Sequence, residues 1–414
     1  MMLLTDLNLH PNRVVVAMSG GVDSSVAAAL LVERGYEVIG MMMRLWSEPG
    51  CNDEPANATA NRCCTPQQMA DARRIADQLH IPFYVVDVKD HFRQTIVQFF
   101  VDEHALGRTP NPCIECNRQI RFTYLLNQAL ALEANYLATG HYARVQQTDA
   151  GYLLRQGIDS HKDQSYVLHM LTQAHLAHVL FPVGDYTKDE VRDLARRFNL
   201  PVASKGDSQD LCFLADGDYR RFLRQHSEQA ARPGQILTED GTPLGEHEGL
   251  SFYTIGQRKG LGISASEPLY VVRKDVARNA LVVGPRTALG QTRLSVRNVS
   301  WVAGSPPAST IRAAVKIRYK AQPIAAAITA VSATEAQIVF DEPVAGATPG
   351  QGAIFYDGDS CLGGGLIGDR DGSGETAVFG SIVFWQIQEE VPILFLLLQK
   401  RIDRFHIERL TTNF

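Results

Sequence analysis

Two thiols three residues apart, Cys113 and Cys116 in TPNPCIECNRQIRF, follow two proline-containing turns. Cys-x-x-Cys serves a structural zinc, a redox pair or a loop presenting one nucleophile, and the spacing leaves all three open. Zinc asks for about four Cys or His ligands, usually as two close pairs. Here Cys63 and Cys64 are adjacent, and Cys212 in DSQDLCFL stands apart. A thioredoxin-like pair opens a helix directly after a strand, whereas this pair follows TPNP. In the third arrangement one thiol works with a distant partner, for which Cys212 is the candidate. Its plain alternative is a small buried apolar residue.

A second stretch, VVVAMSGGVDSSVAAALL, reads as a buried strand, a glycine turn and a helix whose first turn carries Asp23, Ser24 and Ser25. Gly20 and Gly21 let the backbone approach an anion, and the free N–H groups and dipole of a helix start supply positive potential. A phosphate or pyrophosphate suits such a turn, although Ser and Asp also cap helices without any ligand. It is not a Walker loop, because G-x-x-x-x-G-K-[ST] is missing.

These residues need a scaffold. From Arg13 to about Leu200, short apolar runs (VVVAM, YEVIGMMM, PFYVVDV, NYLATGHYA) alternate with helical periods. This predicts a doubly wound parallel α/β sheet, with ligands beyond the carboxyl ends of its strands. Both GGVDSS and ATGHYAR lie at such ends. After the helical TKDEVRDLARRFNL, glycine and proline become frequent. Helices are expected to stop there, with a boundary near Lys205. LYVVRKDVARNALVVG reads as a hairpin, and short alternating strands from Ser295 to about Ile367 predict a small β sandwich or barrel. The division expected is residues 1–206 for the nucleotide domain, 207–292 for a small central domain, 293–368 for the β domain and 369–414 for an extension. In that extension VPILFLLLQKRIDRFHIERL is far short of the roughly 20 apolar residues of a membrane span. It predicts a packed or dimerising helix or, alternatively, an interfacial or poorly ordered extension, with no stable membrane insertion.

Composition sets bounds on partners. The 414 residues are 45% hydrophobic and 21% charged, with net charge −5, so any nucleic acid must be met by a local basic face. Seven cysteines, an odd number, and a start without a secretory pattern point to reduced thiols and a cytoplasmic location.

SGGVDSS resembles the PP-loop of ATP pyrophosphatases, which cleave ATP between its α and β phosphates and adenylate an acceptor oxygen. Beside phosphates, Asp23 would repel unless Mg²⁺ lay between, so the resemblance implies Mg²⁺ with ATP. The likeness then becomes closer. SGGVDSS, GRTPNPCIECNRQIRF, ATGHYAR, KDQSYVL, GDSQDLCFL, YTIGQRKGLGI and LGGGLI stand in the order of the tRNA-specific 2-thiouridylase (MnmA/TrmU) family, over roughly Arg13 to Gly368. That family replaces the 2-oxygen of a wobble uridine with sulfur, using ATP and a sulfur-donor protein, a cysteine desulfurase or relay protein.

The resemblance implies Cys116 as nucleophile, Cys212 as persulfide carrier, and a transient disulfide between them. Cys113 stands where many relatives have Asp. ATP contacts are implied for Ala17, Met18, Ser19, Gly20, Gly21, Val22, Asp23, Ser24, Met43 and Gly140. For tRNA they are implied at Asn111, Pro112, Cys113, His141, Lys162, Asp163, Gln164, Arg318, Tyr319 and Gln351. The expected substrates are the wobble uridines of Lys, Glu and Gln tRNAs. The chain departs from the family pattern by continuing more than forty residues past LGGGLI. Two other readings remain at this point: an ATP pyrophosphatase acting on a small molecule, which needs no cysteine pair, and a non-catalytic RNA binder, which needs no nucleotide loop.

The cysteine assignment is asymmetric and testable. Cys116→Ala should abolish 2-thiouridine formation, whereas Cys113→Ala should retain most of it, as read by nucleoside mass spectrometry of modified tRNA. The opposite ranking would place the nucleophile at Cys113, and loss of bound zinc by both variants would favour the metal.

Overall fold

The computed structural model describes residues 10–48, 65–206, 211–214 and 216–369. The expected tail helix, Cys51, Cys63, Cys64 and the residues just before Leu211 lie outside the described residues.

Five strands form the first sheet: β1 (His10–Ala17), β2 (Glu37–Arg44), β3 (Phe83–Asp87), β4 (Ala134–Ala138) and β7 (Val179–Leu180), in the order β3-β2-β1-β4-β7 and all parallel. Strand direction accounts for the apolar runs, because a parallel sheet is covered on both faces. Val14 and Val16 join one core with helix α1 (Val22–Glu33), whereas Val15 joins the other with Ile96, Phe100, Ile120 and Phe122. Helix α1 is buried almost all round, as its SSVAAALL run requires. Helix α2 (Pro66–Gln78) starts with a capping box, Thr65 with Gln68, and proline in its first turn. The helix Lys188–Arg197 uses the same device, Thr187 with Glu190.

The strand that begins at the end of ATGHYAR leaves this sheet. β5 (Ala143–Thr148) and β6 (Gly151–Gln156) form a hairpin that pairs with the last strand of the C-terminal sheet. The central unit has β8 (Gly234–Thr238), β9 (Pro243–His247), β10 (Tyr270–Asp275) and β11 (Ala280–Gly284), in the order β10-β11-β8-β9. The predicted hairpin is β10–β11. Helices do not stop at the boundary, however. Tyr219–His226 is helical, capped by the Asp218 carboxylate on the N–H groups of Arg220 and Arg221, with Phe222 and Leu223 buried. YRRFLRQH is two turns long with three arginines among its eight residues, too short for its periodicity to stand out among the turn residues around it.

Of the two β architectures expected at the C-terminus, the barrel forms. β12 (Gly290–Trp301), β13 (Ile311–Lys316), β14 (Ile324–Ala330), β15 (Glu335–Ala345), β16 (Gly352–Asp357) and β17 (Ser360–Ile367) pair in the order β12-β15-β14-β13-β16-β17, and β12–β17 closes the ring. Closure explains LGGGLI. A methyl on Gly363, Gly364 or Gly365 would lie 2.2, 2.6 or 2.5 Å from a neighbouring backbone oxygen, so only glycine lets β17 fit between β12 and β16.

At the junction of the first and central units lies His104, buried with its ring 4.5 Å from that of Phe100 and its Nδ1 without a hydrogen-bond partner. Burial, and secondarily the Lys274 charge, push its pKa down to about 3. Between about pH 6 and pH 4 the unfolded chain binds this proton and the folded chain does not. Stability present above the usual histidine range is therefore lost as pH falls, at about 1.4 kcal/mol per pH unit from this one group. His104→Phe should flatten the loss of unfolding free energy between pH 6 and pH 4.5 by about one proton, as measured by denaturant melts. An unchanged slope would show that the ring titrates normally.

Candidate active site

The turn after β1 and the turn after β4 meet at the sheet's switch point, where chain order reverses and ligands of such folds bind. Gly20 has φ +69. Helix α1 has no side-chain cap, which leaves its first N–H groups facing the turn. Ser24 Oγ accepts from Ser19 N–H at 3.2 Å and lies 3.3 Å from Gly21 O, while Ser25 Oγ donates to Gly21 O at 2.7 Å. These bonds hold the glycine turn in shape. From the other side Gly140 comes so close that a methyl there would lie 2.7 Å from Ser24 N and 2.8 Å from Asp23 C. Ala17, Met18, Ser19, Met41, Met43, Leu45 and Arg121 line a cleft partly open to solvent.

Asp23 is engaged within the protein. Its Oδ1 accepts from Lys188 Nζ at 2.7 Å and from Tyr142 Oη at 2.9 Å. A magnesium ion fits poorly here as a protein-caged metal: Asp23 shares its oxygen with an ammonium, and among the described residues no three carboxylate, histidine or cysteine side chains cluster for a metal. Lys188 was not identified from the sequence, yet a signal existed. It follows the cap Thr187, in the first helical turn, where the dipole disfavours a cation. Lys205 is another such residue, and TKDE-like signals do not mark it. Its Nζ donates to Gly20 O at 2.9 Å and to Asp71 Oδ2 at 3.1 Å, tying the glycine turn to α2.

Asn111 caps the short helix Pro112–Glu115, its Oδ1 accepting from Cys113 N–H at 3.1 Å. Cys113 is exposed and Cys116 is buried. Cys116 begins a π-helical stretch, Cys116–Leu125, of the kind often found at functional sites. Cys212 is half-buried against the same core as Cys116, and the next residue, Phe213, packs its ring 5.4 Å from Phe100 and 6.2 Å from Phe92. Phe213 O accepts from Glu48 N–H at 3.3 Å, so the Cys212 segment borders the loop leaving β2.

The residues expected at an RNA face are joined but differ in exposure. Gln164 pairs with the backbone of Tyr142 in both directions, at 2.8 and 3.0 Å. Lys162 is half-buried beside it. Asp163 is buried and accepts from Gly157 N–H, Ser165 N–H and Ser165 Oγ, with Lys316 Nζ 3.9 Å away. It holds the loop rather than facing outward. His141 places Nδ1 2.6 Å from Thr139 Oγ1, with the rings of Phe122 and Phe181 about it. Burial and the Arg121 charge push its pKa down to about 3, so it is neutral near pH 7. In the barrel, Arg318 Nη2 donates to Ile255 O, Gly346 O and Thr348 Oγ1. Tyr319 is exposed, its ring edge-on to Tyr166. Gln351 Nε2 donates to Thr109 O at 2.7 Å, Thr109 N–H to Pro349 O at 2.9 Å, and Arg108 pairs with Asp369 at 2.9 Å. The barrel thus grips the cysteine loop directly.

With this geometry established, the chain can be compared with known proteins. Residues 12–216 match the family described as tRNA methyl transferase HUP domain, 220–285 the tRNA methyl transferase PRC-barrel domain, and 291–367 the aminomethyltransferase beta-barrel domain. The full-length relatives are described differently. The chain is 47% identical to the tRNA-specific 2-thiouridylase MnmA of Magnetococcus marinus, over 86% of this chain and 99% of that relative. It is 49% identical to that of Geotalea uraniireducens, over 87% and 96%, and 48% identical to that of Geobacter metallireducens, over 86% and 96%. Such long alignments outweigh the methyl-transfer wording attached to the separate domains.

Gly140→Ala should weaken ATP binding by about tenfold or more, because the added methyl must displace the first turn of α1. Binding of tRNA should stay near the wild-type value. Isothermal titration with each ligand separates the two, and unchanged ATP affinity would place the nucleotide elsewhere.

Proposed function

Because the chain belongs to the tRNA-specific 2-thiouridylase (MnmA) family, we propose that it adenylates the 2-oxygen of a tRNA wobble uridine at the expense of ATP and replaces that oxygen with sulfur. The observation that best supports this reading is the joining of a glycine-turn nucleotide cleft to a cysteine loop through one side chain, Arg121, which lines the cleft and donates to Cys116 Sγ at 3.4 Å.

In this reading the turn from Ala17 to Ser24, with Met43 and Gly140, holds the nucleotide. Lys188 neutralises Asp23, which lowers the repulsion between that carboxylate and entering phosphates. Mg²⁺ accompanies ATP as a counter-ion of its phosphates, and no step is assigned to it. Once the uridine oxygen has become part of a good leaving group, Cys116 Sγ attacks the inner sulfur of a persulfide on Cys212. The Cys116–Cys212 bond forms and hydrosulfide departs. Hydrosulfide displaces AMP from C2, giving 2-thiouridine, and an external dithiol reduces the disulfide. A sulfur-donor protein, a cysteine desulfurase or relay protein, restores the persulfide.

The work divides among residues 1–206 for adenylation, 207–292 for the persulfide, 293–368 for RNA and 369–414 for an extension without an assigned step. Asn111, Pro112, Cys113, His141, Lys162, Gln164, Arg318, Tyr319 and Gln351 border the proposed RNA path, with Asp163 beneath it. Wobble uridines of Lys, Glu and Gln tRNAs are the proposed substrates and the cytoplasm the proposed location. Among the described residues no helix is long and apolar enough to cross a membrane.

Release of AMP and pyrophosphate should depend on tRNA. Cys212→Ser should retain that release and tRNA binding but form no 2-thiouridine, since serine cannot carry a transferable sulfur. Release without tRNA would indicate a small-molecule substrate, and 2-thiouridine formed by Cys212→Ser would remove the persulfide from this residue.

A further inference from the structure

Arg121 lies five residues after Cys116. On an ordinary α-helix that spacing would turn the two side chains about 140° apart. The stretch Cys116–Leu125 is π-helical, and its i→i+5 bonding brings the fifth residue nearly over the first. The Thr123 hydroxyl, donating to Arg118 O at 2.7 Å, follows the same widened spacing. As a result Arg121 Nη1 donates to Cys116 Sγ at 3.4 Å and to Asn117 Oδ1 at 2.9 Å. Asn117 is itself buried and anchored, its Nδ2 donating to Val167 O at 2.9 Å. The guanidinium is therefore held in place between the thiol and the cleft that Ala17, Met18 and Ser19 line.

We propose that Arg121 is a positioning residue for sulfur transfer: its guanidinium stabilises Cys116 as the thiolate and holds that sulfur at the edge of the nucleotide cleft. The inference rests on the reading of Cys116 as the nucleophile. Two effects compete at this sulfur. Burial disfavours the anion, and a hydrogen-bonded cation favours it. A guanidinium fixed at hydrogen-bonding distance opposes the cost of burial, because its attraction is least screened where water is excluded. Two neighbouring groups bear on its role. His141, on the facing turn, is neutral near pH 7, and Glu115 and Arg118 approach each other at 3.9 Å on the same segment. The same guanidinium lines the nucleotide cleft, so phosphate binding and thiol ionisation draw on one cation.

The test is the pH dependence of iodoacetamide alkylation at Cys116 in the full-length protein, read peptide by peptide by mass spectrometry. Exposed Cys113, three residues away, serves as the internal reference. The midpoint for Cys116 should lie at or below that for Cys113, although burial by itself would raise it. Arg121→Gln should move it up by about one pH unit or more, and Arg121→Lys should restore most of the difference. An unmoved midpoint in a folded Arg121→Gln variant overturns the inference. If that variant does not fold, the wild-type ordering decides, and a Cys116 midpoint above that of Cys113 overturns it. Failure of the underlying reading is seen separately, as 2-thiouridine still formed by Cys116→Ala whatever its alkylation profile.

Discussion

The site depends on one close approach, that of the turn 139–141 to the first turn of α1. Two backbone segments that ordinary side chains would separate are in van der Waals contact because residue 140 has no Cβ. The approach brings Tyr142 within hydrogen-bonding reach of Asp23, and Lys188 completes the charge balance from a third element. Without these partners the carboxylate would meet any anion at the turn with its full charge. Paired in this way it becomes part of the scaffold, and the helix start is left for an anion.

From that contact the other parts follow in sequence. Tyr142 is held by Gln164, whose loop is seated on the buried Asp163, and Asp163 faces Lys316 of the barrel. The cysteine loop is fastened to the same barrel through Thr109, Gln351, Arg108 and Asp369. The barrel is thus a structural support for both loops as well as a candidate RNA surface. A polynucleotide pressing on it would act on the elements that position the thiol and the nucleotide, giving a physical route by which RNA binding and chemistry are linked.

The two cysteines are placed in different ways. Cys116 sits on a π-helical stretch whose widened turn supplies its neighbour, Arg121. Cys212 has no regular element of its own; the aromatic packing of Phe213 against Phe92 and Phe100, and the bond from Glu48 to its carbonyl, hold the segment. An anchor one residue away leaves the thiol half-exposed, as the proposed sulfur relay would require.

By itself the sequence determined what local chemistry and periodicity can carry. Alternating apolar runs imposed the parallel sheet, SGGVDSS the glycine turn into a helix, and the even spacing of short strands a closed or stacked β unit. The order of the motifs pointed to the family. Tertiary structure decided everything that depends on residues far apart in the chain. That Asp23 meets Lys188, that Gln351 grips Thr109, and that β5–β6 leaves the first sheet to join the barrel are pairings no window of sequence contains. Arg121 is the instructive case, since it is only five residues from Cys116. A 3.6-residue period places it on another face, and the π geometry that reverses this is visible only in the folded chain. Helix Tyr219–His226 went unread for the related reason that two turns of cationic sequence carry too little periodicity to outweigh their surroundings, and burial of Phe222 and Leu223 by neighbouring elements stabilises it.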